Sequence, residues 1–172
     1  VVIPVHLSGQ SCDMQKICAL GLEYGFKILE DASHAVGGKY LNERVGNCRY
    51  SDITVFSFHP VKIITTGEGG MALTNNPEIY EHLMLLRTHG ITKNSKHMTK
   101  KDNAPWYYEQ LELGFNYRMT DIHAALGVSQ MDRLDEFVER RNELAQLYDE
   151  ALENLPLKKQ IVNEETYSAR HL

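Results

Sequence analysis

Cysteine is scarce in this 172-residue chain: Cys12, Cys18 and Cys48 are odd in number and form no CxxC pair. That argues against a disulfide framework or a zinc-thiolate site and fits a reducing, cytoplasmic setting. Positive charge is also in short supply. Lysine and arginine total 18 against 23 acidic residues, a formal net charge of -5. No broad basic field advertises a nucleic-acid or membrane partner, so small molecules are the expected ligands. Apolar runs are short, none approaching the roughly 18 to 20 residues that span a bilayer, and no charged-then-apolar leader opens the chain. Histidine is plentiful, and His6, His34 and His59 fall near predicted strand ends. No pair has HExxH spacing, so no metal site is expected. Internal repeats and low-complexity tracts are absent too.

What is present is an alternation of strand and helix patterns, in a chain long enough for one domain with a real core. VVIPVHL (Val1 to Leu7) has strand composition, with Pro4 pointing to an edge position or a bulge. Asp13 can cap a helix that Gly25 stops, and FKILED (Phe26 to Asp31) then reads as a buried strand. This is a β-α-β unit, which makes a parallel sheet whose ligands collect beyond the carboxyl ends of the strands, where Asp31 stands. KYLNERVG carries a turn near Asn42, DITVFSF (Asp52 to Phe58) is another strand, and GGMALT (Gly69 to Thr74) a further short one. A helix follows with Asn76 as cap, Pro77 at its first position, an apolar face of Ile79, Leu83 and Leu86, and Gly90 as terminator. The polar stretch Ile91 to Pro105, with Lys93, Lys96, Lys100 and Lys101, reads as a mobile surface loop. From Thr120 to Leu155, Ile122, Leu126, Met131, Leu134, Val138, Leu144, Tyr148 and Leu152 form an apolar stripe, on one long helix or two shorter ones, for core packing or a subunit contact. Val1 begins inside an apolar run and Leu172 closes just after a new segment starts, so a piece of a longer enzyme is expected.

One stretch raises a chemical question. In SFHPVKIITTGEGG (Ser57 to Gly70), Lys62 stands between a strand end and a glycine cluster. A lone loop lysine is ordinarily solvated, but one beside Val61 and Ile63 can become a nucleophile as desolvation lowers its pKa. Pyridoxal phosphate requires an amine for a Schiff base, a carboxylate for its pyridine nitrogen and donors for its phosphate. Lys62, Asp31 and Ser57 are the candidates, and His34 could meet the phenolic oxygen. Taken singly, Asp31 is equally well a turn or cap residue, His34 a core or surface histidine, and Ser57 an ordinary strand-end serine. GEGG has neither P-loop length nor dinucleotide-fingerprint spacing and reads as a tight turn close to a ligand.

The order of EDASHAVGG, SFHPVKIITTGEGGMALT and GFNYRMTDIHAALGVSQMDRL resembles the DegT/DnrJ/StrS family of nucleotide-sugar aminotransferases over nearly the whole chain. The resemblance implies an α/β fold, the pyridoxal-phosphate transferase fold of type I (aspartate aminotransferase-like), with a mostly parallel sheet flanked by helices. Residues 1–119 would be part of the large cofactor-binding domain, 120–155 a helical link, and 156–172 the start of a small C-terminal domain. By position, Lys62 would carry the cofactor and shuttle protons, Asp31 would hold the pyridine nitrogen, His34 (often glutamine in relatives) the phenolic oxygen, and Ser57 the phosphate. Asn116 of NYR would reach the cofactor phosphate of a neighbouring subunit, which implies a homodimer with shared active sites. Relatives with histidine in place of this lysine act as dehydratases, so Lys62 favours transamination. VHLSGQSCDM and DASH are most similar to the branch that aminates a UDP-linked 4-keto-6-deoxy-hexosamine in pseudaminic acid biosynthesis, with glutamate as the expected donor. The family's upstream phosphate-binding segment, ring-stacking aromatic and small C-terminal domain are not found in these residues. A non-catalytic module that binds cofactor or a sugar nucleotide is therefore the rival reading, and a structural α/β domain the third.

Overall fold

The Asp13 side chain accepts the Lys16 amide at 3.2 Å and starts α1 (Met14–Tyr24), which closes at Gly25 in the left-handed region with φ 71°. Both ends lie where the sequence puts them. The computed structural model describes residues 1–100 and 104–171; Lys101 and Leu172 lie outside the described residues. By its contacts the chain divides into two compact units, Val1–Asn75 with Asp121–Leu172, and Asn76–Thr120.

In the first unit, β1 (Leu29–Asp31) emerges from the predicted strand Phe26 to Asp31. The segment before α1 runs parallel to it through the bridges Val2↔Ile28 and Val5↔Asp31 rather than as a full strand. Pro4 has no N–H to give, but its carbonyl accepts the Asp31 amide at 2.9 Å, the edge arrangement a proline tolerates. After β1 come a hairpin of β2 (Lys39–Tyr40) and β3 (Glu43–Arg44), then β4 (Ile53–Ser57) and β5 (Gly70–Leu73). Leu41 and Asn42 both take positive φ, 48° and 64°, as a two-residue hairpin turn of this hand requires. β4 pairs parallel with β1, Asp31 opposite Val55, and antiparallel with β5, so the sheet order is β1-β4-β5. Met14, Ile28 and Tyr40 form a core beneath α1, with Ile17, Cys18, Phe26 and Tyr50 packed against them.

The second unit opens with α2 (Pro77–Leu86). Asn76 accepts the amides of Glu78 at 2.8 Å and Ile79 at 3.3 Å, and Pro77 follows it. Replacing Asn76 with alanine should lower stability by about 1 kcal/mol and with glycine by only a few tenths, read as a shift in the urea midpoint. The helix ends at Leu86, not at Gly90 as the sequence suggested. Gly90 serves a different contact: a Cβ there would lie 1.9 Å from the Glu112 carbonyl oxygen, so residues 86–90 run backbone to backbone against 111–117.

Of the stretch expected as a mobile surface loop, Ile91 to Pro105, the described residues 93–100 form a largely exposed loop, and its first two residues form a strand. β6 (Ile91–Thr92) pairs antiparallel with β7 (Glu109–Gln110). The Glu109 carboxylate accepts the amides of Thr99 (2.6 Å) and Lys100 (2.8 Å) and the hydroxyl of Tyr107 (2.9 Å). Those backbone donors, Thr99 first, hold its pKa down to about 2. Local composition showed a polar stretch; a glutamate outside that stretch organises it.

Past residue 120 the apolar stripe divides into α3 (Asp121–Met131) and α4 (Leu134–Ala151). Only Leu134 and Val138 of the stripe are buried, against Gly37, whereas Ile122 is 82 % exposed. An Arg44–Asp135 ion pair also ties α4 to the hairpin. β8 (Thr166–Tyr167) then pairs antiparallel with β2, which brings the end of the chain back onto its first half. Among the described residues, no helix is long and apolar enough to cross a membrane.

Candidate active site

The parallel strands β1 and β4 end side by side, and each delivers its next residues to the same edge. From β1, the Ala32 amide bonds to Val55 O at 2.9 Å, and the turn continues through Ala35 and Gly38, with both alanines fully buried. Asp31 is half-buried, and its Oδ1 accepts the Ser33 amide at 3.1 Å. Burial raises the pKa of this carboxyl, but the Ser33 hydrogen bond and the charges of His34 and Lys62 outweigh it and hold it below the usual range.

From β4, Ser57 Oγ accepts the His59 amide at 3.4 Å, which leaves its own hydrogen available to donate. The chain turns at His59 to Lys62, closed by Lys62 N–H to His59 O at 2.9 Å. Ile63 and Ile64 anchor the loop in the core at 6 % and 2 % exposure. Thr65 and Thr66 bind the Phe58 carbonyl, and Gly69 accepts the Phe58 amide, so the loop is cinched across its base. At Gly70 a Cβ would come within 2.9 Å of Phe56 O, the steric reason for glycine beside β4. Lys62 is half-buried; of its neighbours, Ile63 is covered and Val61 is exposed. Its amine makes no hydrogen bond or ion pair among the described residues, yet its charge acts on Asp31, His34 and His171.

The structure thus brings Asp31, His34 and Lys62 into one electrostatic neighbourhood, with Ser57 at the end of the adjoining strand. His34 Nδ1 accepts the Ser8 amide at 3.3 Å; burial first, and Lys62 second, lower its pKa against the pull of Asp31. Asn116 belongs to the other unit, where it is exposed and bridged to Thr88. His6 is taken up elsewhere, in a buried pair with Glu30 at 2.8 Å.

Sequence reasoning missed His171. Its ring centroid lies 4.5 Å from that of His34 at an interplanar angle of 46°. Burial, then the charges of His34, Lys62 and Arg141, push its pKa down to about 4. Its Nδ1 is buried without a hydrogen-bond partner among the described residues. Nothing in the spacing of SARHL points to the strand ends of the first half; only the return of β8 onto β2 takes the residue there.

Comparison with known proteins places this arrangement. The model of the DegT/DnrJ/EryC1/StrS aminotransferase family matches residues 1–172. UDP-4-amino-4,6-dideoxy-N-acetyl-beta-L-altrosamine transaminase of Campylobacter jejuni is 40% identical over 169 residues, which cover 98% of this chain and 42% of that protein. Among solved structures, Helicobacter pylori PseC, an aminotransferase involved in the biosynthesis of pseudoaminic acid, superposes with a TM-score of 0.82 at 32% identity, covering 98% of this chain and 43% of its own. The PLP-form of the putative sugar aminotransferase Spr1654 from Streptococcus pneumoniae does so with a TM-score of 0.81 at 30% identity, covering 98% and 45%. The chain spans about two fifths of the length of the curated relatives it matches. Its fold is the type I α/β fold that the motif order implied. On this evidence the chain belongs to the DegT/DnrJ/EryC1/StrS aminotransferase family.

Proposed function

We propose that this chain forms part of the active site of a cytoplasmic pyridoxal-phosphate-dependent aminotransferase, which moves an amino group from an amino-acid donor, glutamate by preference, to C4 of a UDP-linked 4-keto-6-deoxy sugar. The observation that carries the reading is the meeting of an unengaged lysine amine, an ionised aspartate and a neutral imidazole at the carboxyl ends of two parallel strands. The residues present fit the cofactor. Asp31 keeps its negative charge and commits one carboxylate oxygen to Ser33, Ser57 has a hydrogen to donate, and Lys62 has no competing partner among the described residues.

Pyridoxal phosphate, when bound, supplies an electron sink that lets a hydrogen on the donor's α-carbon leave as a proton. Asp31 holds a proton on the pyridine nitrogen, and so keeps that sink effective. Ser57 donates to a phosphate oxygen, a bond strengthened by the acceptor's charge. His34 donates to the phenolic oxygen. Lys62 Nζ takes the proton from the donor's α-carbon and, in the second half of the reaction, delivers one to C4 of the sugar. The donor leaves as a keto acid and the keto sugar as an amino sugar, so atoms and electrons balance over the two halves. A place in the biosynthesis of a pseudaminic acid-like surface sugar is supported by the relatives named above.

The same reading takes the working protein to be a homodimer in which Asn116 of one protomer serves the phosphate held by the other. The exposure of Asn116 and of Ile122, Val128 and Met131 on α3 is in keeping with that pairing. Borohydride treatment of the intact, cofactor-loaded protein tests the core of the proposal. A phosphopyridoxyl group should be recovered on the peptide that contains Lys62; recovery on another lysine would remove the central claim. An intact protein that binds cofactor or sugar nucleotide and never transfers an amino group would be the non-catalytic module instead.

A further inference from the structure

We infer that residues 168–171 form a strap that locks His34 in the tautomer with its hydrogen on Nε2, and that His171 is the positioning residue of that lock. Three links close a cycle. The His171 amide donates to Ser8 O at 3.1 Å, the Ser8 amide donates to His34 Nδ1 at 3.3 Å, and the ring of His34 rests against the ring of His171. Beside them, the Ala169 amide donates to Gly9 O at 3.0 Å.

The backbone conformation of the linking residues requires such a clamp. Ser8 has φ 56° and Arg170 φ 50°, left-handed values that L residues avoid and that persist only when the surroundings hold them. α4 does the holding. Asn142 donates to Ser168 O at 3.0 Å, and Arg141 donates to the carbonyls of both Arg170 and His171 at 3.1 Å. Ser168, Ala169 and His171 are all buried, so the strap is packed as well as bonded. Gly9, with φ 95°, lets the two segments touch: a Cβ there would stand 2.7 Å from the Arg170 nitrogen.

An imidazole nitrogen that accepts an amide N–H carries no hydrogen, so the remaining hydrogen of neutral His34 sits on Nε2, and that nitrogen is a donor. Protonating Nδ1 would set two N–H groups against each other. The charged groups acting on His34 are Lys62 and Asp31, and those acting on His171 are His34, Lys62 and Arg141. Their net effect together with burial lowers both histidines, so both rings stay neutral near neutral pH. The use of Nε2–H as the donor to the cofactor's phenolic oxygen rests on the function proposed above; the tautomer does not.

The test is nitrogen NMR of the intact protein labelled with 15N at histidine, with no cofactor added, at about pH 7.5 where an ordinary histidine is neutral. The His34 signals are assigned by their loss in His34→Gln. The expected result is one tautomer, with Nδ1 bare and Nε2 protonated. In His171→Ala, which keeps the backbone amide and removes the ring, the single tautomer should give way to a mixture, and the His34 titration midpoint should rise toward the ordinary histidine value. Gly9→Ala should do the same by dislodging the strap; should it not fold, the wild type and His171→Ala still decide. A wild-type His34 with hydrogen on Nδ1, or a mixture of tautomers, overturns the inference. So does a His171→Ala protein in which tautomer and midpoint are both unchanged. Because no cofactor is involved, this outcome is separate from the borohydride result, and either can fail alone.

Discussion

On the function proposed above, replacing Lys62 with alanine in the intact protein is expected to reduce amino transfer by roughly 10⁴-fold or more, the scale of losing a group that would both bond to the cofactor and move the proton. Folding should be nearly untouched, with stability within about 0.5 kcal/mol of wild type, because the side chain is half-buried and has no hydrogen bond among the described residues to lose. Ile63 and Ile64, not Lys62, anchor the loop. The substitution also carries an electrostatic signature with a definite sign. The Lys62 ammonium lowers the pKa values of Asp31, His34 and His171, so all three should rise when it is removed. Lys62→Arg separates the two roles. It keeps the positive charge, and therefore the low pKa values, but a guanidinium does not release its proton in this range, and amino transfer should stay as low as in the alanine variant. Single-turnover reaction with donor, paired with NMR titration of the histidines, measures both. An arginine variant with near-normal turnover would take the proton-transfer role away from this residue.

The second large effect is structural. Glu30 and His6 are 5 % and 0 % exposed, and the pair sits among Ser51 and Thr54. The Cys12 amide points at His6 Nδ1 at 3.2 Å, and His6 Nε2 lies 2.8 Å from Glu30 Oε2, to which its N–H donates. Thr54 donates to Oε1 at 3.0 Å, and the Ser51 hydroxyl does as well. Glu30→Ala strands three donors in the interior and is expected to cost about 3 to 5 kcal/mol. Glu30→Gln keeps one acceptor but turns an NH₂ toward a donor, and should fall between alanine and wild type. Burial raises the Glu30 pKa, but the bonds from His6, Ser51 and Thr54 more than reverse it, leaving the folded value below the unfolded one. The stability the Glu30 carboxylate contributes is therefore complete above about pH 4.5 and is lost as pH falls through the lower folded value. His6 has the opposite sign: burial lowers its pKa, but the Cys12 and Glu30 interactions push it up to about 9, so its contribution is complete below about pH 6.5 and is lost as pH rises through about 9. Urea unfolding at several pH values should show the loss at low pH in the wild type and a weaker acid dependence in Glu30→Gln. Equal slopes in the two would mean that Glu30 is not ionised in the folded protein.

Glu30 and Asp31 are adjacent carboxylates with opposite fates, and the alternation of a strand explains why. Successive side chains leave a strand on opposite faces, so one residue's step carries Glu30 into the interior and Asp31 to the edge where β1 ends. Sequence reading placed Asp31 at the strand's carboxyl end and took His6 only as a histidine near a strand end. That His6 would be consumed by a glutamate on the neighbouring strand depended on the parallel register, which no local spacing states.

The features legible in the sequence share a physical basis: each depends on residues a few positions apart. Asp13 and Gly25 bracket α1, Asn76 and Pro77 start α2, the turn at Leu41 and Asn42 joins β2 to β3, and the strand-turn pattern sets Lys62 just beyond β4. Caps, turns and strand ends are satisfied by the backbone next to them, so their residue types announce them. Gly90, Glu109 and His171 were misread or missed because their partners, Glu112, Thr99 with Lys100, and His34, are supplied by another segment. The sequence by itself determined the alternation of elements and the strand-end positions of Asp31, Ser57 and Lys62. Only the tertiary structure decided that the last turn of the chain lies against His34, because a contact between distant segments is set by packing and register once the intervening loops have closed, and neither is written in the spacing of either segment.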